Sequence, residues 1–382
     1  MSLDNLPSIY VHKTPASEAA ASGARMPAFV IWTIALVTFL VLTSLVANLY
    51  RSAHGMPYMA VLTEKLEDYD KQSADYDVIF LGTSETFRHI DPSAISAVLA
   101  DNGHELDVYN FGVPALNYSE LSLLTDRIAD NPADGRKFVV IQNPLPVRGD
   151  LDTLLTDRGR YFRNGARVGN TVSEVACYTG TSLGLLRRIY SNSLAVTAET
   201  TGFGRLANTL FPAAETLQLT YDPAYRNNHG FWPVDRDLTD HVVARQGFAS
   251  MTPDKMQAYI DGQGMRAPRE SQLACRAGLI LDLVTRLEAA GYTVIYLNPP
   301  TVKFSPLSNA VRDAALKLDP DLLVLDFDPA IYTEFTEPSL WFDESHMTGE
   351  GAERLSRLIG AELATLLAEV DTTGSASIAT DG

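Results

Sequence analysis

The hydrophobic pattern breaks first at residues 27–49, where AFVIWTIALVTFLVLTSLVANL carries no charged side chain. A bilayer's hydrocarbon core of about 30 Å needs about 20 such residues, so the run predicts a transmembrane helix over 26–50. A cleaved signal peptide would have a shorter apolar stretch, and a buried core helix rarely stays apolar around its whole circumference. The segment therefore reads as an uncleaved signal anchor. Lys13 and Arg25 precede the span and Arg51 and Lys65 follow it. This slight bias favours a cytoplasmic N-terminal tail, with the large domain on the far side of the membrane.

From Tyr76 onward the pattern changes to short, nearly continuous apolar runs separated by helical periodicity. Runs at 77–82, 106–112, 137–142, 291–297 and 322–327 predict strands covered on both faces, as in a mainly parallel α/β sheet. Helices are expected over PSAISAVLADNG, NYSELSLLTDRIADN and ESQLACRAGLILDLVTRLEAAG, with a last one from about Gly349 to Glu369 behind Thr348 as N-cap. The small polar residues of 1–25 and 367–382 predict disordered tails. Residues 51–75, with LTEKLEDYDKQ, suggest a short helix or spacer that lifts the domain off the bilayer. The domain then covers 76–366 and contains an insertion over 144–268, too long for one crossover. Within it, HGFWPVDRD (229–237) mixes aromatic and charged residues and fits a packed loop better than a sugar site.

Composition narrows the function. A formal net charge of −17 and no basic stripe argue against nucleic acid. Cys177 and Cys275 lie far apart, without CxxC or His spacing, which gives no support to a metal site. They form one disulfide if the domain is exported, or are two separate thiols. No GxGxxG follows a strand and no GxxxxGK[ST] occurs, so no nucleotide cofactor is expected.

Ligands of an open parallel sheet bind beyond the carboxyl ends of its strands. There the first strand runs into Gly82-Thr83-Ser84-Glu85, a turn that can expose the Ser84 hydroxyl as a nucleophile. Near the other end of the chain, WFDESHMTGEGAERL sets Asp343 three residues before His346. One carboxylate can then hold one ring nitrogen and leave the other to take a proton from Ser84. His89 and Asp91 follow Ser84; His89 reads as a helix-entry residue, and Asp91 before Pro92 as an N-cap.

These two blocks resemble the SGNH (GDSL-like) hydrolase superfamily, over roughly residues 76–366 apart from much of the insertion. The resemblance implies a three-layer, flavodoxin-like sandwich around the sheet, with Ser84, Asp343 and His346 as catalytic residues. It also implies an oxyanion hole in which Gly112 after the second strand and Asn143 after the third serve as donors. The chain departs from the pattern at Thr83, where an Asp is usual, and in the third block, which keeps only Asn143 before Pro144. Asn298 is the competing amide, although a turn role before two prolines suits it better. A single membrane span before such a domain is similar to the SGNH proteins of alginate O-acetylation and teichoic acid D-alanylation. By that likeness the protein would be a single-pass protein of the bacterial cytoplasmic membrane, with its domain on the periplasmic or extracellular side. It would be an O-acyltransferase or esterase that passes an acyl group through Ser84 to a polysaccharide, with a multi-span membrane O-acyltransferase as partner and no cofactor. The alternative is a degenerate glycan-binding or scaffold protein of the same fold.

Overall fold

The structure, a computed structural model, describes residues 27–54, 59–143, 182–200, 228–237, 250–261, 268–302 and 305–378, together with residue 248 and short pieces between 158 and 177. The expected tail over 1–25 and most of the insertion lie outside the described residues.

Helix α1 (Ala28–His54) leaves its large side chains exposed, Phe29 at 76% and Trp32 at 74%. Its Ala28–Ala47 stretch is long and apolar enough to cross a membrane, and within it only Ala47, at the end, is buried. Helix α2 (Ala60–Gln72) is more than the spacer that its charges suggested. Leu62, Lys65 and Tyr69 share one face and are buried, so α2 belongs to the domain.

Five parallel strands form the sheet: β1 (Val78–Gly82), β2 (Val108–Gly112), β3 (Phe138–Gln142), β4 (Thr293–Asn298) and β5 (Leu323–Asp326), in the order β2-β1-β3-β4-β5. Each lies where a continuous apolar run predicts it. Alternation along the strands divides the core. Ile79, Leu81, Tyr109, Val139 and Tyr296 pack with α2, α5 (Tyr118–Ala129) and α8 (Glu270–Ala289). Phe80, Val108, Val140 and Ile295 pack with α4 (Pro92–Asp101) and α10 (Gly349–Ile378). Helix α10 continues to Ile378 rather than stopping near Glu369. Its buried Leu355, Ile359, Leu363 and Leu367 secure the early turns, and each further residue then adds to an existing helix.

Strand order reverses between β1 and β3, so the carboxyl edge there is the switch point at which ligands of such sheets bind. The first turn of α5 lies at that edge, and pieces of the insertion are fastened to it. Arg158 donates to both Glu120 oxygens, at 3.0 and 2.9 Å, and to Pro114 O. The buried Glu174 carboxylate accepts from Tyr118 N–H at 3.0 Å and from Ser119 N–H at 3.1 Å. Burial pushes Glu174 up to about 8, against these hydrogen bonds. Cys177 forms a disulfide with Cys275 in the first turns of α8, which resolves the choice that the sequence left open.

Candidate active site

Strand β1 ends in Gly82, where no side chain fits; a Cβ would lie 2.1 Å from Thr86 Oγ1 and 2.6 Å from Gln142 Oε1. Thr83 then caps the short helix α3 (Ser84–His89) through its side-chain oxygen. Gln142, the last residue of β3, fills the space that the glycine leaves. Its Oε1 accepts from Thr83 N–H at 3.0 Å, Thr86 N–H at 3.2 Å and Thr86 Oγ1 at 2.6 Å. Its Nε2 donates to the Glu85 carboxylate. One carboxamide thus ties the end of β3 to the turn that bears Ser84. Ser84 is half-buried, and no hydrogen bond of its hydroxyl is seen among the described residues.

Asp343 and His346 are brought together. His346 Nδ1 lies 2.9 and 3.1 Å from the two Asp343 oxygens, and Asp343 Oδ1 also accepts the Ser345 and His346 backbone N–H groups at 2.7 and 2.8 Å. Burial opposes charge on Asp343, but the hydrogen bond and charge of His346, helped by these N–H groups, hold its carboxyl below the usual range. A carboxylate can only accept, so Nδ1 carries a hydrogen, and in the neutral ring Nε2 is then the acceptor. No hydrogen bond joins Ser84 and His346 among the described residues.

The two halves meet through α3. His89, at the end of that helix, is wholly buried, and its Nε2 accepts the Met347 N–H at 3.0 Å. Its ring stands edge-on to His346, with centroids 6.2 Å apart. Burial, and then the neighbouring His346, drive its pKa far down, so it is a neutral acceptor and Nδ1 holds the proton. Ser356 adds a second fastening, donating to His89 O at 3.0 Å and accepting from Asp91 N–H at 2.8 Å. Asp91 caps α4 with Pro92 in its first turn, as the sequence suggests. Glu85 feels the charges of both His346 and Asp343; burial raises its carboxyl to about 7, opposed by His346 and Gln142.

Neither a family model nor a curated protein matches this chain. Its site therefore has to be judged on geometry and chemistry.

The expected oxyanion donors fare differently. The Gly112 N–H is already given to Asn110 Oδ1 at 2.8 Å, and a Cβ on Gly112 would lie 2.3 Å from Phe87 N. This glycine lets β2 approach α3 closely and has no N–H to spare, so the donor role expected of it does not fit. Asn143 follows β3 directly, is half-buried, and makes no side-chain hydrogen bond among the described residues. Asn298 is committed elsewhere, its Nδ2 donating to Asn309 at 2.8 Å and Asp326 at 2.7 Å.

Sequence reasoning overlooked Gln142, Asn110 and Lys65. Asn110 lies in the middle of β2 and donates Nδ2 to both Thr86 O and Ile90 O at 2.7 Å, fastening the last turn of α3. The fully buried Lys65 donates to Asn110 O at 2.6 Å; burial lowers its pKa well below normal, against the pull of Asp68. For Gln142 and Asn110 the available signal was a polar residue inside an otherwise apolar strand. The 229–237 segment packs beside these residues, with Phe231 and Trp232 buried, His229 O accepting Asn110 N–H at 2.9 Å, and Asp235 bonded to Gly349 N–H. That matches a packed loop. Among the described residues, no group of three or more His, Cys, Asp or Glu is placed to hold a metal ion.

Proposed function

We propose that this protein is a membrane-anchored serine enzyme of the SGNH type, an O-acyltransferase or esterase acting on a cell-envelope or secreted polysaccharide. The observation that carries the reading is the Asp343–His346 pair, fastened through His89 to the helix that begins with Ser84. The 2-1-3-4-5 strand order is that of flavodoxin-like, doubly wound sheets, and it supports the three-layer sandwich expected of such enzymes. The Cys177–Cys275 disulfide favours a domain outside the cytoplasm, since such bonds persist in oxidising compartments.

In this reading Ser84 Oγ attacks the acyl carbonyl while His346 Nε2 takes its proton, and Asp343 stabilises the imidazolium that results. The tetrahedral oxyanion takes hydrogen bonds from the Ser84 N–H and Asn143 Nδ2. Collapse expels the donor's leaving group, which receives the proton from His346, and leaves acyl-Ser84. A sugar hydroxyl, or water, then gives its proton to His346 as it attacks the ester, and His346 passes that proton to Ser84 Oγ as the serine leaves. A multi-span membrane acyltransferase is the partner that would supply acyl groups across the bilayer.

A glycan-binding module of the same fold is the second reading. It is favoured by the committed Gly112 N–H and by the absence of a described Ser84–His346 hydrogen bond. A fluorophosphonate probe separates the two. The full chain should be labelled, Ser84→Ala and His346→Ala should not, and the double variant should lose no more ester hydrolysis than either single one. Labelling equal in native and Ser84→Ala protein would sink the enzymatic reading.

A further inference from the structure

We infer that helix α6 (Ser182–Thr200) is an interfacial helix lying on the surface of the bilayer that α1 crosses, which turns the carboxyl edge of the sheet toward the lipid. The inference rests on reading α1 as the membrane segment and adds a second, peripheral contact to it.

The first argument is the face of α6. Leu183, Leu186, Tyr190 and Leu194 are 77%, 63%, 67% and 45% exposed. Their spacing of three or four residues sets them along one stripe about 17 Å long. Ser191 and Val196 are buried and lie on the two flanks of the helix, roughly 100° and 120° around from the middle of that stripe. A soluble surface rarely leaves so many large apolar side chains in a row uncovered.

Charge decides which occupant fits. The chain carries a net charge of −17, yet α6 has Arg187 exposed beside the stripe, Arg188 next to it in sequence, and no acidic residue before Glu199. An apolar stripe flanked by arginine suits the boundary between acyl chains and anionic headgroups, with its side chains reaching about 5–10 Å in.

Topology supplies the third argument. Helix α2 runs antiparallel to the strands: Lys137, just before β3, holds Ala74 O and Tyr76 O at the amino edge of the sheet, and Lys65 reaches Asn110 in β2. The start of α2 at Ala60 therefore lies toward the carboxyl edge. Helix α1 continues seven residues past Ala47, to His54. That length and the link to Ala60 together span no more than about 30 Å. The carboxyl edge is thus tethered close to the bilayer. The Glu174 cap on α5 and the Cys177–Cys275 disulfide fasten the insertion to the same edge and to the same side of the sheet as α2, and α6 begins five residues beyond Cys177.

Nitroxide accessibility of the full-length chain in nanodiscs of phosphatidylethanolamine and phosphatidylglycerol tests this. Labels are introduced by Phe39→Cys in α1, Leu186→Cys and Tyr190→Cys in α6, and Glu105→Cys at the amino edge, with the native disulfide kept oxidised. Collisions with oxygen should exceed those with a water-soluble nickel chelate at 39, 186 and 190, and the order should reverse at 105. If position 39 is in lipid while 186 and 190 are reached by nickel, α1 is an anchor and the interfacial helix is refuted. Shielding of 186 and 190 from both reagents, or spin–spin broadening between copies, would mean that protein covers the stripe and would equally overturn the proposal. Nickel access at position 39 would remove the anchor, and the inference with it.

Discussion

Replacing Glu85 by Gln removes a half-buried ionisable group and keeps an oxygen to receive the Gln142 Nε2 hydrogen bond. Folding raises the Glu85 carboxyl from 4.5 to about 7, chiefly through burial. Between those values the folded protein holds a proton that the unfolded chain has released. The stability contributed by this group is therefore fully present below its unfolded value, falls as pH rises toward 7, and stays lost above it. At about 1.4 kcal/mol for each tenfold change in proton affinity, the whole window is worth about 3 kcal/mol. Solvent relaxation around a half-buried carboxylate brings the expected effect to roughly 2 kcal/mol. Urea unfolding of the native and Glu85→Gln chains, followed by the fluorescence of the buried Trp232 and Trp341, measures it. The stability of Glu85→Gln relative to native should improve by that amount between about pH 5 and about pH 8. Parallel curves over this range would mean that Glu85 keeps an ordinary proton affinity in the fold, and the account of its burial would be refuted.

Two further predictions concern the amides and the disulfide. Asn143→Ala should slow probe acylation by about ten- to a thousandfold with unchanged unfolding, whereas Asn298→Ala should leave acylation nearly intact and lower stability by roughly 1–3 kcal/mol, since it strips partners from Asn309 and Asp326; the reverse ranking in stopped-flow labelling and denaturation would exchange their roles. Joint replacement of Cys177 and Cys275 by Ser opens a link spanning 98 residues of sequence and should cost about 4–5 kcal/mol in the same unfolding assay. An unchanged midpoint would mean that the native chain carries the two as thiols.

The strands were legible because five apolar runs admit few other structures, and the Ser84 turn and the Asp343/His346 pair were legible because their residue types carry chemistry at sheet-end positions. What escaped did so for particular reasons. Helix α2 presents Leu62, Lys65 and Tyr69 to the sheet, and a lysine in the middle of that stripe disguises it as a solvated face. Gln142 looks like an ordinary residue leaving a strand until Gly82 is seen to make room for its carboxamide. Gly112 follows the family pattern in sequence, but the neighbouring Asn110 claims its N–H, and a contact between residues two apart in a strand leaves no mark in composition or periodicity. The pairing of Cys177 with Cys275 depends on where an insertion returns to α8, which spacing alone does not encode.

The Lys65–Asn110 contact bears on where this protein can be cut. A soluble version trimmed at the apparent start of the domain, residue 76, would discard α2 together with the membrane helix. Asn110 O would lose its Lys65 donor, the Tyr109 hydroxyl would lose its acceptor at Lys65 O, and Phe111 would lose the Tyr69 ring stacked on it. Because the Asn110 side chain also closes the last turn of α3, the damage would reach the helix that presents Ser84. Trimming between His54 and Ala60 instead removes the greasy segment and keeps Lys65 in place, so the first residue of the working unit is set by one buried lysine rather than by the first strand.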